Sequence, residues 1–156
     1  FFIALTAPCA LADNIHVQEV ERLGWGTVGI PPSGSASIAI SPGSGATSGS
    51  GKIIYGTPSR GKYLIRLSGG GHGGHFSQNT ISLDIDDVRT GSRHFSIQNF
   101  KGIYGSYLIP SFPSPTLPSP AQGQGSPLYL GATLTVDQAV REGDYSPSFD
   151  IIAFIN

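Results

Sequence analysis

The sequence predicts an all-β fold, arranged as an antiparallel β-sandwich with Greek-key connections. About nine segments alternate apolar and polar side chains with a period of two, which is typical of strands with one buried face. Turn residues separate these segments, and no window combines a 3.6-residue period with helix caps. The chain has 156 residues, a length that suits a single domain with a core of its own.

The composition favours an extracellular β protein over a nucleic-acid-binding or disordered one. Charged residues make up 12% of the chain, about half the usual share. The 22 glycines and the 38% of hydrophobic residues fit a folded β protein rich in turns. The formal net charge of −1 gives no reason to expect nucleic acid or an anionic membrane as a partner.

The first twelve residues are apolar and end in Ala10-Leu11-Ala12. This small-x-small pattern predicts the C-terminal part of a signal peptide, cleaved after Ala12. The expected mature domain is 13–156, exported to the periplasm, the cell surface or the extracellular space. The alternative is a buried N-terminal strand or helix that happens to end in alanines. Residues 1–12 are too few to span a bilayer, so no integral membrane segment is expected in the mature chain.

Strands are predicted in order along the first two thirds of the chain, at 14–20, 23–28, 35–41, 52–56, 62–68, 79–88 and 93–100. Trp25 lies between two glycines, which indicates a bend or bulge with the indole packed inward. From about 108 to 127 the chain is rich in proline, with six of its twelve prolines. Because proline cannot donate to a sheet ladder, we expect an extended surface loop there.

The stretch from Leu128 to Asn156 carries the clearest alternation. One strand is predicted at 128–136 and another at the C-terminal end, joined by a turn at 137–144 that contains Gly143. These two strands form either a closing hairpin or consecutive strands in different sheets. In the last strand Ile152 and Phe154 lie opposite Phe149 and Ile151, so both faces are apolar. Such a strand is either central and covered on both sides, or an edge strand that pairs with a partner.

Four short segments resemble an exported bacterial family, the domain-of-unknown-function family four-four-zero-two. They are Leu23-Gly-Trp-Gly-Thr-Val28, 51–58, Gly131-Ala-Thr-Leu-Thr-Val136 and Gly143-Asp-Tyr145. The chain departs from the family pattern at Arg141-Glu142, at Pro147 and in the length of the Pro-rich loop. The resemblance implies an immunoglobulin-like or pilin-like β-sandwich related to spore-coat domains, exported by a bacterium. It implies no catalytic residue.

No motif in the sequence indicates catalysis, a cofactor or a metal. Residues 46–53 lack the first Gly and the final Ser or Thr of a phosphate-binding loop. His72 and His75 are too few ligands for zinc. Asp84 and Asp86 share a strand face, where paired carboxylates could hold calcium or cleave a glycoside, but a solvated face is the expectation. We therefore expect a protein that is not an enzyme.

The predicted function is that of a cell-surface or fimbria-like structural or interaction domain. It would associate with itself or with other surface proteins through strand edges. The candidate partner-strand residues are Ile15, Val17, Phe149, Ile151, Ile152 and Phe154. The alternative is a secreted module that binds carbohydrate or another ligand. That alternative predicts a cluster of exposed aromatic side chains, formed by Tyr104, Tyr107, Phe112 and Tyr129.

Overall fold

A computed structural model of the chain describes residues 2–5, 15–67, 80–121 and 124–156. Within them the fold is all-β, as predicted. Fourteen strands are present: β1 (Phe2–Leu5), β2 (Ile15–Glu21), β3 (Leu23–Val28), β4 (Ser35–Ile40), β5 (Thr47–Ser48), β6 (Ile53–Tyr55), β7 (Gly61–Leu67), β8 (Thr80–Arg89), β9 (Phe95–Tyr104), β10 (Tyr107–Ile109), β11 (Leu117–Pro118), β12 (Ser126–Asp137), β13 (Asp144–Tyr145) and β14 (Ser148–Ile155).

The longest described strand, β12, lies at the centre of a seven-stranded sheet. On one side β12 pairs with β9, and on the other it pairs first with β7 and then with β4. Strands β10, β2 and β5 extend this sheet outward from β9, β7 and β4. The alternate residues predicted to share a face of β12 are all buried: Leu128, Leu130, Ala132, Leu134 and Val136.

The chain crosses itself on the outer face of β12, where β4 gives way to the following loop. Gly131 lies at this crossing. A Cβ atom there would collide with the Ile40 carbonyl oxygen and would lie 2.8 Å from the Pro42 nitrogen. Only glycine leaves room for so close an approach of two backbones.

Two smaller sheets complete the described fold. The four-stranded sheet has the order β13-β1-β3-β6, and the three-stranded sheet has the order β11-β8-β14. Every described strand pair is antiparallel except β1 with β13, which is parallel. The mixed sheet is therefore one departure from the purely antiparallel arrangement that the sequence predicted.

Both smaller sheets pack against the buried face of the seven-stranded sheet. Phe149 of β14 contacts Tyr63 and Phe100 of the large sheet, with ring centroids 6.1 and 5.2 Å apart. Tyr145 of β13 meets Phe95 edge-on at 5.1 Å. Fully burying each such large side chain contributes about 1.5–3 kcal/mol. This layered arrangement is consistent with a β-sandwich, while the predicted Greek-key order is not confirmed.

Trp25 is a core anchor, as its glycine neighbours predicted. Its side chain is fully buried in β3, and its indole N–H donates to the Ile38 carbonyl oxygen at 2.9 Å. The backbone of Gly26 has a positive φ of 71°, a conformation that glycine adopts without strain. The ladder of β3 is irregular on either side of this position, so the predicted bulge is present.

Residues 2–5 form strand β1, between β3 and β13. The Ile3 side chain is fully buried in the core, and its backbone lies in register with Gly26 and Tyr145. This is the arrangement that the alternative interpretation, a buried N-terminal strand, describes. Cleavage after Ala12 stays a prediction, because Ala12 lies outside the described residues.

The Pro-rich stretch is less separate from the fold than a surface loop. It leaves β10 in the seven-stranded sheet and enters β11, which pairs with β8 in the three-stranded sheet. Ile109 and Leu117 at its two ends are buried. Pro118 occupies the outer strand of its sheet, where a missing N–H is tolerated.

The two C-terminal strands belong to different sheets. Strand β12 lies at the centre of the seven-stranded sheet, whereas β14 pairs with β8. Of the two arrangements left open by the sequence, the closing hairpin is therefore wrong and the crossing between sheets is correct.

Candidate functional site

The last strand combines a buried half with an exposed end. Phe149 and Ile151 are fully buried, Ile152 is half-buried, and Phe154 is 50% exposed. Ile155 is 37% exposed beside it. Backbone alternation accounts for part of this pattern, because Phe149 and Ile151 lie on the core-facing side of the strand and Ile152 and Phe154 lie on the opposite side.

Strand β14 is an edge strand within the described part of the chain. It pairs with β8 along its length, and no other described strand forms a ladder with it. Among the described strands β14 therefore lies at a sheet edge and is not a central strand. An edge strand leaves backbone N–H and C=O groups available for pairing with another chain.

Strand β2 supplies the other two candidate residues and forms an edge of the seven-stranded sheet. Ile15 is fully buried and Val17 nearly so, with β2 paired only to β7 among the described strands. Strand β14 lies against β2. The fold thus brings the two candidate strands together, and their core-facing residues are packed in the interior. The apolar side chains that these strands expose to solvent are Val20 of β2 and Phe154 and Ile155 of β14.

The predicted cluster of exposed aromatic side chains does not form. Tyr104 is buried, Phe112 and Tyr129 are half-buried, and only Tyr107 is 51% exposed. Tyr104 turns inward because β9 carries a bulge: the register with β12 shifts between Gly131 and Thr133. This shift reverses the facing of every later residue of β9.

The aspartates of β8 do not converge on a cation. The carboxylate of Asp84 accepts a hydrogen bond from the N–H of Ile85, and that of Asp86 accepts one from Asp87, each at 2.8 Å. No group of three or more metal-ligating side chains occurs among the described residues. His72 and His75 lie outside the described residues.

Sequence reasoning missed a set of cations on the outer face of the seven-stranded sheet. The guanidinium of Arg60 stacks on the ring of Tyr129 at 3.9 Å from its centroid, and Lys62 lies 5.9 Å from the same centroid. Beside them is a hollow of about 480 Å³ that includes Asn99 and Lys101. The sequence offers one signal for the irregular backbone beside this hollow. Asparagine is enriched among non-glycine residues with positive φ, and Asn99 has such a φ.

No family model matches the chain, and no curated protein or solved structure matches it. The resemblance to the exported bacterial family therefore stays a prediction from the sequence. The described residues contain no helix with the length and apolarity that a membrane crossing requires.

Proposed function

We propose that the chain is a non-catalytic, exported structural or interaction domain of a bacterial surface, of cell-surface or fimbria-like type. The supporting observation is the exposed end of β14. It joins an edge strand, with available backbone hydrogen-bonding groups, to two apolar side chains that face solvent. Edge-strand addition uses this combination: main-chain bonds supply affinity and alternate side chains supply specificity.

Other features of the chain agree with export and with a surface role. Charge is sparse and glycine abundant, as is common in extracellular β proteins. Soluble proteins usually protect edge strands with charge, proline or a covering loop. The end of β14 has Phe154 and Ile155 at that place instead, so a partner strand or a second copy would cover it.

The association can be measured on the full chain by light scattering coupled to size-exclusion chromatography. We expect concentration-dependent self-association that Phe154→Lys abolishes, because a charge on the apolar contact opposes its desolvation. Tyr107→Lys is the matched control, since Tyr107 is equally exposed on a different sheet. A monomer at all concentrations, or equal effects of both substitutions, would contradict self-association through β14.

A ligand-binding module is the second candidate function, and the cationic outer face favours it. The support for ligand binding is not the cluster of exposed aromatic side chains that the sequence predicted. It is the contact between Arg60 and Tyr129 and the polar hollow beside it.

A further inference from the structure

We propose that the outer face of the seven-stranded sheet binds an acidic polysaccharide, one whose sugar units carry carboxylates. This inference gives a ligand class to the second candidate function. It is independent of association through β14, because the two surfaces share no residue. The binding surface, called the cationic face below, consists of Arg60, Lys62, Tyr129, Lys101 and the hollow that contains Asn99.

Arg60 is held in one orientation. Its Nη1 donates to the carbonyl oxygen of Pro42 at 2.8 Å and also to that of Gly43, while its Cζ lies over the Tyr129 ring, 3.9 Å from the centroid. Stacking and carbonyl contacts restrict the side chain before any ligand arrives, which lowers the entropic cost of binding. The Nε and Nη2 groups of Arg60 make no hydrogen bond to a described residue, so they remain able to donate to a carboxylate.

Two lysines lie around the same tyrosine. Lys62 is directly opposite Tyr129 across β7 and β12, and Lys101 is opposite Gly131, the next residue of β12 on that face. Same-face neighbours along a strand are about 7 Å apart. Neither lysine forms an ion pair with a described residue, although Glu21 stands in register with Lys62. Three of the nine cationic residues are thus concentrated on one small area.

The hollow beside Lys101 supplies groups that match sugar hydroxyls. Its described lining contains no aspartate or glutamate, and its polar side chains come from five separate segments: Ser41, Ser48, Asn99, Lys101, Ser111 and Thr133. The side chains of Asn99 and Ser111 make no hydrogen bond to a described residue. Asn99 has a positive φ of 54°, which directs this stretch of β9 out of the regular ladder. Backbone strain of this kind is concentrated at binding sites.

The combination selects an acidic glycan over other anions. Hydroxyls, an amide and apolar surface from Pro110 suit the polar edges and C–H faces of sugar rings, while the cations suit carboxylates. A single-stranded nucleic acid would use open aromatic faces for base stacking. The ring of Tyr129 already carries Arg60 on one face.

The test uses the full chain and three polymers: polygalacturonate, neutral dextran and inorganic polyphosphate. We expect polygalacturonate to bind in isothermal titration, with affinity that falls as salt is raised, and dextran to give no signal. Lys101→Gln should weaken binding roughly tenfold, the equivalent of one lost charge-assisted contact. Arg141→Gln is the matched control, because Arg141 is an exposed cation outside the cationic face, and it should bind like the unaltered chain.

A second variant tests the hollow separately from the charge. Asn99→Gly keeps the backbone conformation and removes the amide, so it should weaken polygalacturonate several-fold and leave any polyphosphate binding unchanged. The proposal is overturned by absence of polygalacturonate binding, by equal binding of polyphosphate, or by unchanged affinity in both variants. Phe154→Lys, which tests association through β14, should bind polygalacturonate normally, so failure of one proposal is distinguishable from failure of the other.

Discussion

Strands β12 and β14 come from the same apolar stretch of sequence, yet they occupy opposite kinds of position. Strand β12 has neighbours on both sides along its length, whereas β14 is bonded on one side only among the described strands. Leu134 of β12 is fully buried, while Phe154 of β14 is half exposed. The comparison teaches that an alternating pattern reports which face is buried, and does not report how many strands lie alongside.

The largest effect is expected from truncating the central strand. Leu134→Ala should lower the free energy of unfolding by about 3 kcal/mol, because it removes buried methyl groups and leaves a cavity that rigid neighbours cannot fill. Phe154→Ala, on the edge strand, should lower it by less than about 1 kcal/mol. Urea unfolding of both variants measures the difference. Equal losses would mean that β14 is as enclosed as β12.

A smaller effect is expected at the crossing over β12. Gly131→Ala should cost about 2 kcal/mol, because the new methyl group forces the loop after β4 away from the sheet. Gly43→Ala in that same loop is the control, since its Cβ would meet its nearest atom at an ordinary 3.5 Å. Urea unfolding again gives the comparison. If both variants unfold alike, the two backbones are not as close at Gly131 as described.

The smallest effect concerns the tyrosine that the β9 bulge turns inward. Burial raises the pKa of Tyr104 above its ordinary 10.0, and the neighbouring Ser126 hydroxyl opposes this only in part. The folded state therefore holds the phenolic proton more tightly than the unfolded chain does. Stability from this group is complete below the ordinary pKa and decreases as pH rises through the folded-state pKa.

The Tyr104→Phe variant removes the ionisable phenol and so isolates its contribution to the pH dependence of stability. The free energy of unfolding, measured by urea between about pH 8 and pH 11, should fall more steeply for the unaltered chain than for the variant. An identical slope in both proteins would show that Tyr104 ionises as it does in the unfolded chain.

Much of the fold follows from local pattern. Trp25 and the alternating residues of β12 are buried as the spacing predicts. Apolar residues at every second position identify the buried face of a strand without any knowledge of its neighbours. The local sequence pattern does not predict which strands become neighbours, since pairing depends on contacts between distant segments. The sheet that receives β14 and the short strand Leu117–Pro118 inside the Pro-rich stretch could not be predicted for this reason.

The candidate site shows the same division. Phe154 could be named from the sequence because it is an apolar residue on the face of the last strand where alternation would place a polar one. Arg60 could not, because its partners Pro42 and Tyr129 are remote in sequence and meet only where the chain crosses β12. Tyr104 was expected in the exposed aromatic cluster, and the bulge near Asn99, which the sequence pattern did not predict, places it on the buried face of β9.

Strand β1 has a consequence for the order of assembly. Its ladder joins Ile3 to Tyr145, so the four-stranded sheet is completed by residues that lie far apart in the sequence. Ladders of such long sequence separation close late and slowly. Until β13 has been synthesised, β1 can pair with β3 alone and its other edge stays open.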